Sequence, residues 1–412
     1  MDKESNFIPM VIIAILFFIF GFVTWLNGSL IPFLKVLCDL NEFEALFVTF
    51  AFYISYTVMA YPMSYLLELT GYKRGMALGL LVMAVGSLLF IPAALTREFG
   101  IFLLALFTLG TGLTILQSAS NPYIVLLGPI ESAARRISIM GLINKSAGVL
   151  APIVFTALIL SNMPLLENLQ SANLDTLSHK LIMPYIVMAI ILLALIAFVH
   201  FSPLKDVEYE EDDNYDHVSV FRFPHVILGA IALFFYVGIE VIAGDTIGLY
   251  AQSLGVADAT TLTSYTMACM VAAYLFGVFA IPKFISQKNA LALSSVVGIG
   301  LVLAVVYTPK ESHMIMQSIP DSVLFVALLG LSNALVWPTI WPLVLDGLGR
   351  HTPKASALLI MSIAGGALLP LAFGKIALYT NDMQQAYLLG ILCYLIILFY
   401  ALKGHKIGRT TE

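Results

Sequence analysis

The chain has 412 residues, of which 60% are hydrophobic and only 11% charged, with a mean hydropathy of +0.95. A soluble globular domain runs at roughly 45–50% apolar and about 25% charged, so a water-soluble fold is excluded and an all-α polytopic membrane protein is expected. The net charge of −5 owes much to one acidic loop and says nothing about nucleic acid, which is not an expected partner, and the three cysteines, Cys38, Cys269 and Cys393, sit in or beside apolar stretches and imply no disulfide framework.

About 20 helical residues cross a hydrocarbon core of ~30 Å. Stretches of that kind are predicted at 8–37, 43–69, 75–95, 100–127, 137–161 and 180–201, and then at 225–253, 261–281, 289–308, 321–346, 354–379 and 383–402. The first is too long for the apolar core of a signal peptide and is expected to stay. Between the two sets lies the one strongly polar stretch, Ser202 to Arg222, with the acidic run Glu208-Tyr209-Glu210-Glu211-Asp212-Asp213. It reads as a solvated linker. The expected organisation is an amino-terminal six-helix domain over 1–201, a linker over 202–222 and a carboxy-terminal six-helix domain over 223–412. Lys73, Arg74, Arg135, Arg136, Arg222 and Lys354 fall on one side of these spans, while the other side holds few basic residues, such as Lys35 and Arg97. Basic loops are retained in the cytoplasm, so both termini are expected there and the protein in the cytoplasmic membrane.

The two sets of spans look like a duplication. Leu16-Phe17-Phe18-Ile19-Phe20-Gly21 returns as Leu233-Phe234-Phe235-Tyr236-Val237-Gly238, and the same register sets Asn27-Gly28 against Gly244-Asp245. Pro122 and Pro152 in spans 4 and 5 are answered by Pro338 and Pro370 in spans 10 and 11. Prolines inside spans are tolerated where the freed backbone faces protein or a cavity, so these helices are expected to line a central path.

A carboxylate in hydrocarbon must pair, take up a proton or hold a cation, and Glu240 and Asp245 lie deep in span 7 with Lys145 deep in span 5. One negative charge is left over, so Asp245, with Glu240 and Lys145 beside it, is a candidate site for coupling an ion. A fixed ion pair with Lys145 is the plainer alternative. Gln117 and Asn121 share one helix face and offer amides suited to sugar hydroxyls, or to hydrogen bonds between packed spans. Trp25, Trp337 and Trp341 could stack on a sugar ring or sit in an interfacial belt; Asn27, Asn144 and Asn333 are further deep amides. Asp346, Arg350 and Lys354, and Glu131 with Arg135 and Arg136, cluster at span ends and suit gate or snorkelling charges. All seven histidines lie near span ends or in loops, there is no glycine loop ending in Lys-Ser/Thr for ATP, and no nucleophile with a positioned base is visible. No enzyme and no cofactor is expected, and transport would run on a gradient.

The segments Phe20-Gly21-Phe22-Val23-Thr24-Trp25-Leu26-Asn27-Gly28-Ser29-Leu30-Ile31-Pro32, Leu116-Gln117-Ser118-Ala119-Ser120-Asn121-Pro122-Tyr123 and Leu127-Gly128-Pro129 resemble the fucose, galactose and glucose symporter family of the major facilitator superfamily, and its glucose/galactose branch most. The resemblance covers essentially the whole chain. It implies the major facilitator fold, two pseudo-symmetric six-helix domains rocking about a central site, and import of a neutral hexose with a cation in a chain that functions as a monomer. Where the fucose-transporting branch carries an Asp and a Glu, this chain has Gly28 and Gln117. Asp245, the repeat counterpart of Gly28, is then the expected relocated carboxylate, with either a proton or sodium as the ion, sodium sitting at Asp245. Export of sugars or drugs and a transport-inactive sugar receptor remain the alternatives.

Overall fold

Proline and glycine decide where these apolar helices bend and how closely they approach. The computed structural model describes residues 7–127, 133–160, 174–204, 222–281, 284–346, 348 and 352–408. Most of the linker with its acidic run, and Glu131 and Arg350, lie outside the described residues. Twelve spans are found among those described: Ile8–Leu37, Glu42–Met59, Leu69–Thr96, Phe99–Asn121, Arg136–Ile159 and Leu174–Phe201, then Pro224–Asp245, Ala259–Ala280, Gln287–Tyr307, Asp321–Leu345, Ala355–Thr380 and Met383–Leu402. They are numbered 1 to 12 here, and six belong to each half. Large apolar side chains such as Leu104, Ile190, Phe279 and Leu378 are exposed around the bundle, as a lipid-facing surface requires.

The spans match the hydropathy reading except where local chemistry intervenes. Span 6 starts earlier than expected because a short helix, Leu174–His179, precedes the main one at Ile182–Phe201. Spans 2 and 3 lie on one stretch of helix, Phe47–Thr96, that turns back at Gly71, whose φ of 74° lies in the left-handed region glycine favours. Span 10 breaks between Asp321–Asn333 and Val336–Leu345. Pro338 cannot bond back to the carbonyl of Ala334, and Pro342 removes the next bond on the same face, so the ladder gives way at Ala334-Leu335. Span 11 passes through a 3-10 turn at Ser362–Ala364, just ahead of Pro370. The first half is less bent than the duplication suggests. Span 4 lies in an unbroken helix, Phe99–Leu126, because the single Pro122 removes only one bond.

The duplication is visible in packing as well as in sequence. A Cβ on Gly21 of span 1 would overlap the backbone carbonyl of Asn144 in span 5, and a Cβ on Gly238 of span 7 would overlap Leu369 in span 11. The equivalent glycine of each repeat thus packs against the fifth span of its own half, Gly21 against backbone and Gly238 against a leucine side chain. Between the halves, contacts gather at the face where spans 1 and 2, 7 and 8, and 11 and 12 connect, called the far face below. There the Ser29 hydroxyl donates to the Thr260 carbonyl at 2.6 Å, the Thr156 and Thr260 hydroxyls lie 3.0 Å apart, and the Ser264 hydroxyl donates to the Val149 carbonyl at 2.7 Å. Gly374 of span 11 packs against Leu46 and Phe43 at the start of span 2. The far face is closed.

Gly21→Val forces a side chain into the Asn144 backbone, which cannot yield as a flexible side chain would. Overpacking of this kind typically costs about 1–3 kcal/mol. The detergent-solubilised variant is expected to melt several degrees below wild type by differential scanning fluorimetry, whereas Gly300→Ala, where a Cβ meets nothing within 4 Å, leaves the transition in place or raises it.

Candidate functional site

The polar centre of the molecule is built on the two repeat-related spans 1 and 7. Span 1 is interrupted between Phe7–Trp25 and Asn27–Leu37, and span 7 between Pro224–Asp245 and Ile247–Ser253. The seventh helix thus ends at its acid. An interrupted helix leaves its last carbonyls without intrahelical partners. Here threonines take them up: Thr266 Oγ1 donates to the Ala243 carbonyl at 3.1 Å and Thr263 Oγ1 to that of Gly244 at 2.7 Å, while the Ile242 carbonyl accepts both the backbone N–H of Thr246 at 3.1 Å and its Oγ1 at 2.7 Å.

Asp245 itself is 0% exposed. Its Oδ2 accepts a hydrogen bond from Thr49 Oγ1 of span 2 at 3.2 Å, across the boundary between halves. Its Oδ1 is buried with no hydrogen-bond partner among the described residues. Opposite stands Gly28, where a Cβ would overlap Thr263 Oγ1 and come within 3.0 Å of the Gly244 carbonyl. The sequence counterparts Gly28 and Gly244-Asp245 therefore meet in space. No side chain at position 28 fits this closed arrangement, so an acid there is sterically excluded while the halves touch.

The second carboxylate has a different fate. Glu240 Oε1 lies 2.7 Å from Lys145 Nζ, and both side chains are about nine-tenths buried. The pair joins span 5 to span 7 and so also bridges the halves. Lys145 Nζ stands 4.3 Å from the centre of the Trp25 ring, a cation–π contact. Trp25 is wedged between Gly148 and Gly244, where a Cβ on either would collide with the indole. Tyr236 lies within electrostatic reach of Glu240, and it leads to Trp337 at 6.4 Å and on to Trp341 at 5.5 Å between ring centres. With Glu240 neutralised by Lys145, the charge left over in the membrane core is that of Asp245.

The amides divide into two groups. Gln117 Nε2 donates to the Tyr56 hydroxyl at 2.9 Å, Tyr56 stacks on Tyr53 at 6.2 Å, and Tyr53 lies within electrostatic reach of Asp245. Gln117, half-buried like Asn121 one turn further on, is thereby linked to the carboxylate through two tyrosines. Asn27 is buried at the meeting of spans 1 and 7 with its Nδ2 unpartnered among the described residues. By contrast, Asn144 Nδ2 donates to the Phe17 carbonyl at 3.4 Å. Asn333 is fully buried and accepts from the Tyr394 hydroxyl at 2.8 Å, which ties it into the packing of the second half. Thr49, Tyr53, Tyr56 and Tyr236 are not evident in the hydropathy pattern. The only cue to the tyrosines is that Tyr53 and Tyr56 stand three apart on one helix face.

Twelve spans in two repeated halves, closed over a polar centre that holds buried charges, define a membrane transporter. The family model of the Major Facilitator Superfamily matches residues 13–371. A glucose/galactose transporter of Brucella abortus is 35% identical over 406 residues, covering 96% of this chain and 93% of that protein, and the L-fucose-proton symporter of Escherichia coli is 27% identical over 420 residues, covering 97% and 94%. A solved structure of the E. coli fucose:proton symporter superposes with a TM-score of 0.74 at 24% identity over 99% of this chain and 100% of that one. The chain belongs to the major facilitator superfamily, and these relatives are transporters rather than enzymes.

Breaking a buried ion pair by removing one partner leaves a bare charge and typically costs about 3–5 kcal/mol, whereas replacing both is close to neutral. Lys145→Met is therefore expected to unfold far more readily than Lys145→Met combined with Glu240→Gln. A double-mutant cycle on thermal stability in detergent checks this, and additive losses would show that the two side chains do not act as a pair.

Proposed function

We propose that the protein imports a neutral hexose, glucose or galactose, across the cytoplasmic membrane by symport with a proton or a sodium ion, both termini facing the cytoplasm and a monomer being the working unit. No cofactor is needed, since the driving force is the ion gradient. The observation that carries the reading is Asp245: a wholly enclosed carboxylate with one oxygen held by a hydroxyl and the other unpartnered. An isolated charge in a low-dielectric interior is strongly disfavoured. A proton or a small cation on Oδ1 removes that penalty, so ion occupancy and closure of the halves over Asp245 favour each other. Lys145 cannot serve Asp245 in the same way while it is bound to Glu240.

A hexose is supported by the amides of Gln117 and Asn121, whose donors and acceptors match sugar hydroxyls, by the indoles of Trp25 and Trp337, and by the substrates named for the Brucella and E. coli relatives. In the closed arrangement one face of Trp25 carries Lys145, so stacking of a sugar on that face requires the Lys145 side chain to move away. The cytoplasmic placement of the termini is supported by the basic residues Lys73, Arg74 and Arg136 on the face opposite the far face.

Counterflow and gradient-driven accumulation separate the two roles in proteoliposomes. Asp245→Asn is expected to abolish accumulation of labelled hexose yet retain sugar counterflow, and intact accumulation would sink the coupling assignment. Gln117→Ala is expected to raise the half-saturating sugar concentration about ten-fold with accumulation still ion-dependent; an unchanged value would favour a broad, amide-independent cavity of the kind an exporter needs.

A further inference from the structure

Thr49 belongs to span 2 of the first half and Asp245 to span 7 of the second, so their hydrogen bond exists only while the halves are together. Both residues are fully buried. The last carbonyls of the seventh helix are already engaged by Thr246, Thr263 and Thr266, and Gly28 opposite brings no side chain. Glu240, Lys145 and Tyr53 are the charged or titratable groups facing Asp245. The first two are paired with each other, and Tyr53 is neutral. Among the described residues, the Thr49 hydroxyl is thus the one group that bonds the coupling carboxylate, and it reaches it from across the moving boundary.

We propose that Thr49 is a positioning residue for ion coupling: its hydroxyl fixes Oδ2 of Asp245, turns Oδ1 to the ion, and does so only when the far face has closed. The inference rests on the symport reading above and names the residue that makes ion loading and closure reinforce each other. When the halves part at the far face, Thr49 withdraws, and Asp245 opens to exchange its ion. When the ion is on Oδ1, closure regains the Thr49 bond. By linkage, whatever that bond adds to closure of the loaded carrier also appears in the apparent affinity for the ion.

The test measures uptake of labelled glucose into proteoliposomes while varying proton or sodium concentration, whichever gradient drives accumulation. Thr49→Val keeps the shape of the side chain and removes the hydroxyl. It is expected to raise the half-saturating ion concentration roughly five-fold, the worth of one hydrogen bond, while the half-saturating sugar concentration at saturating ion stays at the wild-type value. Thr49→Ser restores a hydroxyl and is expected to return the ion response to within about two-fold of wild type, as fits the same small free-energy scale. An ion response in Thr49→Val equal to wild type overturns the inference, as does a Thr49→Ser protein that behaves like Thr49→Val. Asp245→Asn, run alongside, separates the two levels. Lost accumulation in Asp245→Asn with an unaltered Thr49→Val defeats the role of Thr49 alone, whereas intact accumulation in Asp245→Asn defeats the symport reading on which it rests.

Discussion

The enclosure of Asp245 is the constraint around which the centre of this protein is arranged. A carboxylate shut away from water with one hydroxyl for company is stable only if something else neutralises it. The neighbouring groups do not. Gly28 has no side chain, the hydroxyls of Thr246, Thr263 and Thr266 donate to helix-end carbonyls, and the available lysine is bound to Glu240. A transporter can use such a group because the charge is tolerable when the halves are apart and intolerable, unless neutralised, when they are together.

The two carboxylates of span 7 therefore do different work although they lie five residues apart. Glu240 is held in a charge-balanced bridge whose lysine also rests on the Trp25 ring, a unit that spans both halves and positions the indole. Asp245 stands one turn nearer the far face, where the halves meet through small residues and hydroxyls: Gly28 against Gly244, Ser29 on Thr260, Thr49 on Asp245. Contacts of this kind are close but individually weak. The ion pair lies further along span 7 from the far face than Asp245 does.

Much of this is legible in the sequence. Hydropathy marks all twelve spans, because a helix that crosses lipid has to be apolar for most of its length, and the internal repeat sets Asn27-Gly28 against Gly244-Asp245, of which Gly28 and the Gly244 carbonyl come close. Counting charges leaves one acid uncompensated. Which acid is compensated was not legible, since Lys145 could reach either until the crossing of spans 5 and 7 brought it to Glu240. The break in span 7 falls at Asp245-Thr246, about one turn beyond the position that the repeat aligns with the break after Trp25 in span 1; the threonines that satisfy the freed carbonyls come from span 8 as well as span 7, and such tertiary caps leave no local pattern. Thr49, Tyr53 and Tyr56 were invisible for a related reason. A lone hydroxyl in an apolar helix scarcely changes its hydropathy, and its meaning depends on what the opposite half places beside it. The sequence leaves Trp25 either to stack on a sugar or to sit in an interfacial belt, and the structure adds that it is a wedge between Gly148 and Gly244.

The most direct test of this account is uptake of labelled glucose and galactose by the wild-type protein in proteoliposomes, with a proton gradient and a sodium gradient imposed separately. Accumulation of one of these sugars above its external concentration under one gradient, and mere equilibration under the other, is the predicted result. Equilibration alone under both gradients would contradict the account, because an enclosed Asp245 with one oxygen unpartnered would then carry no ion across the membrane.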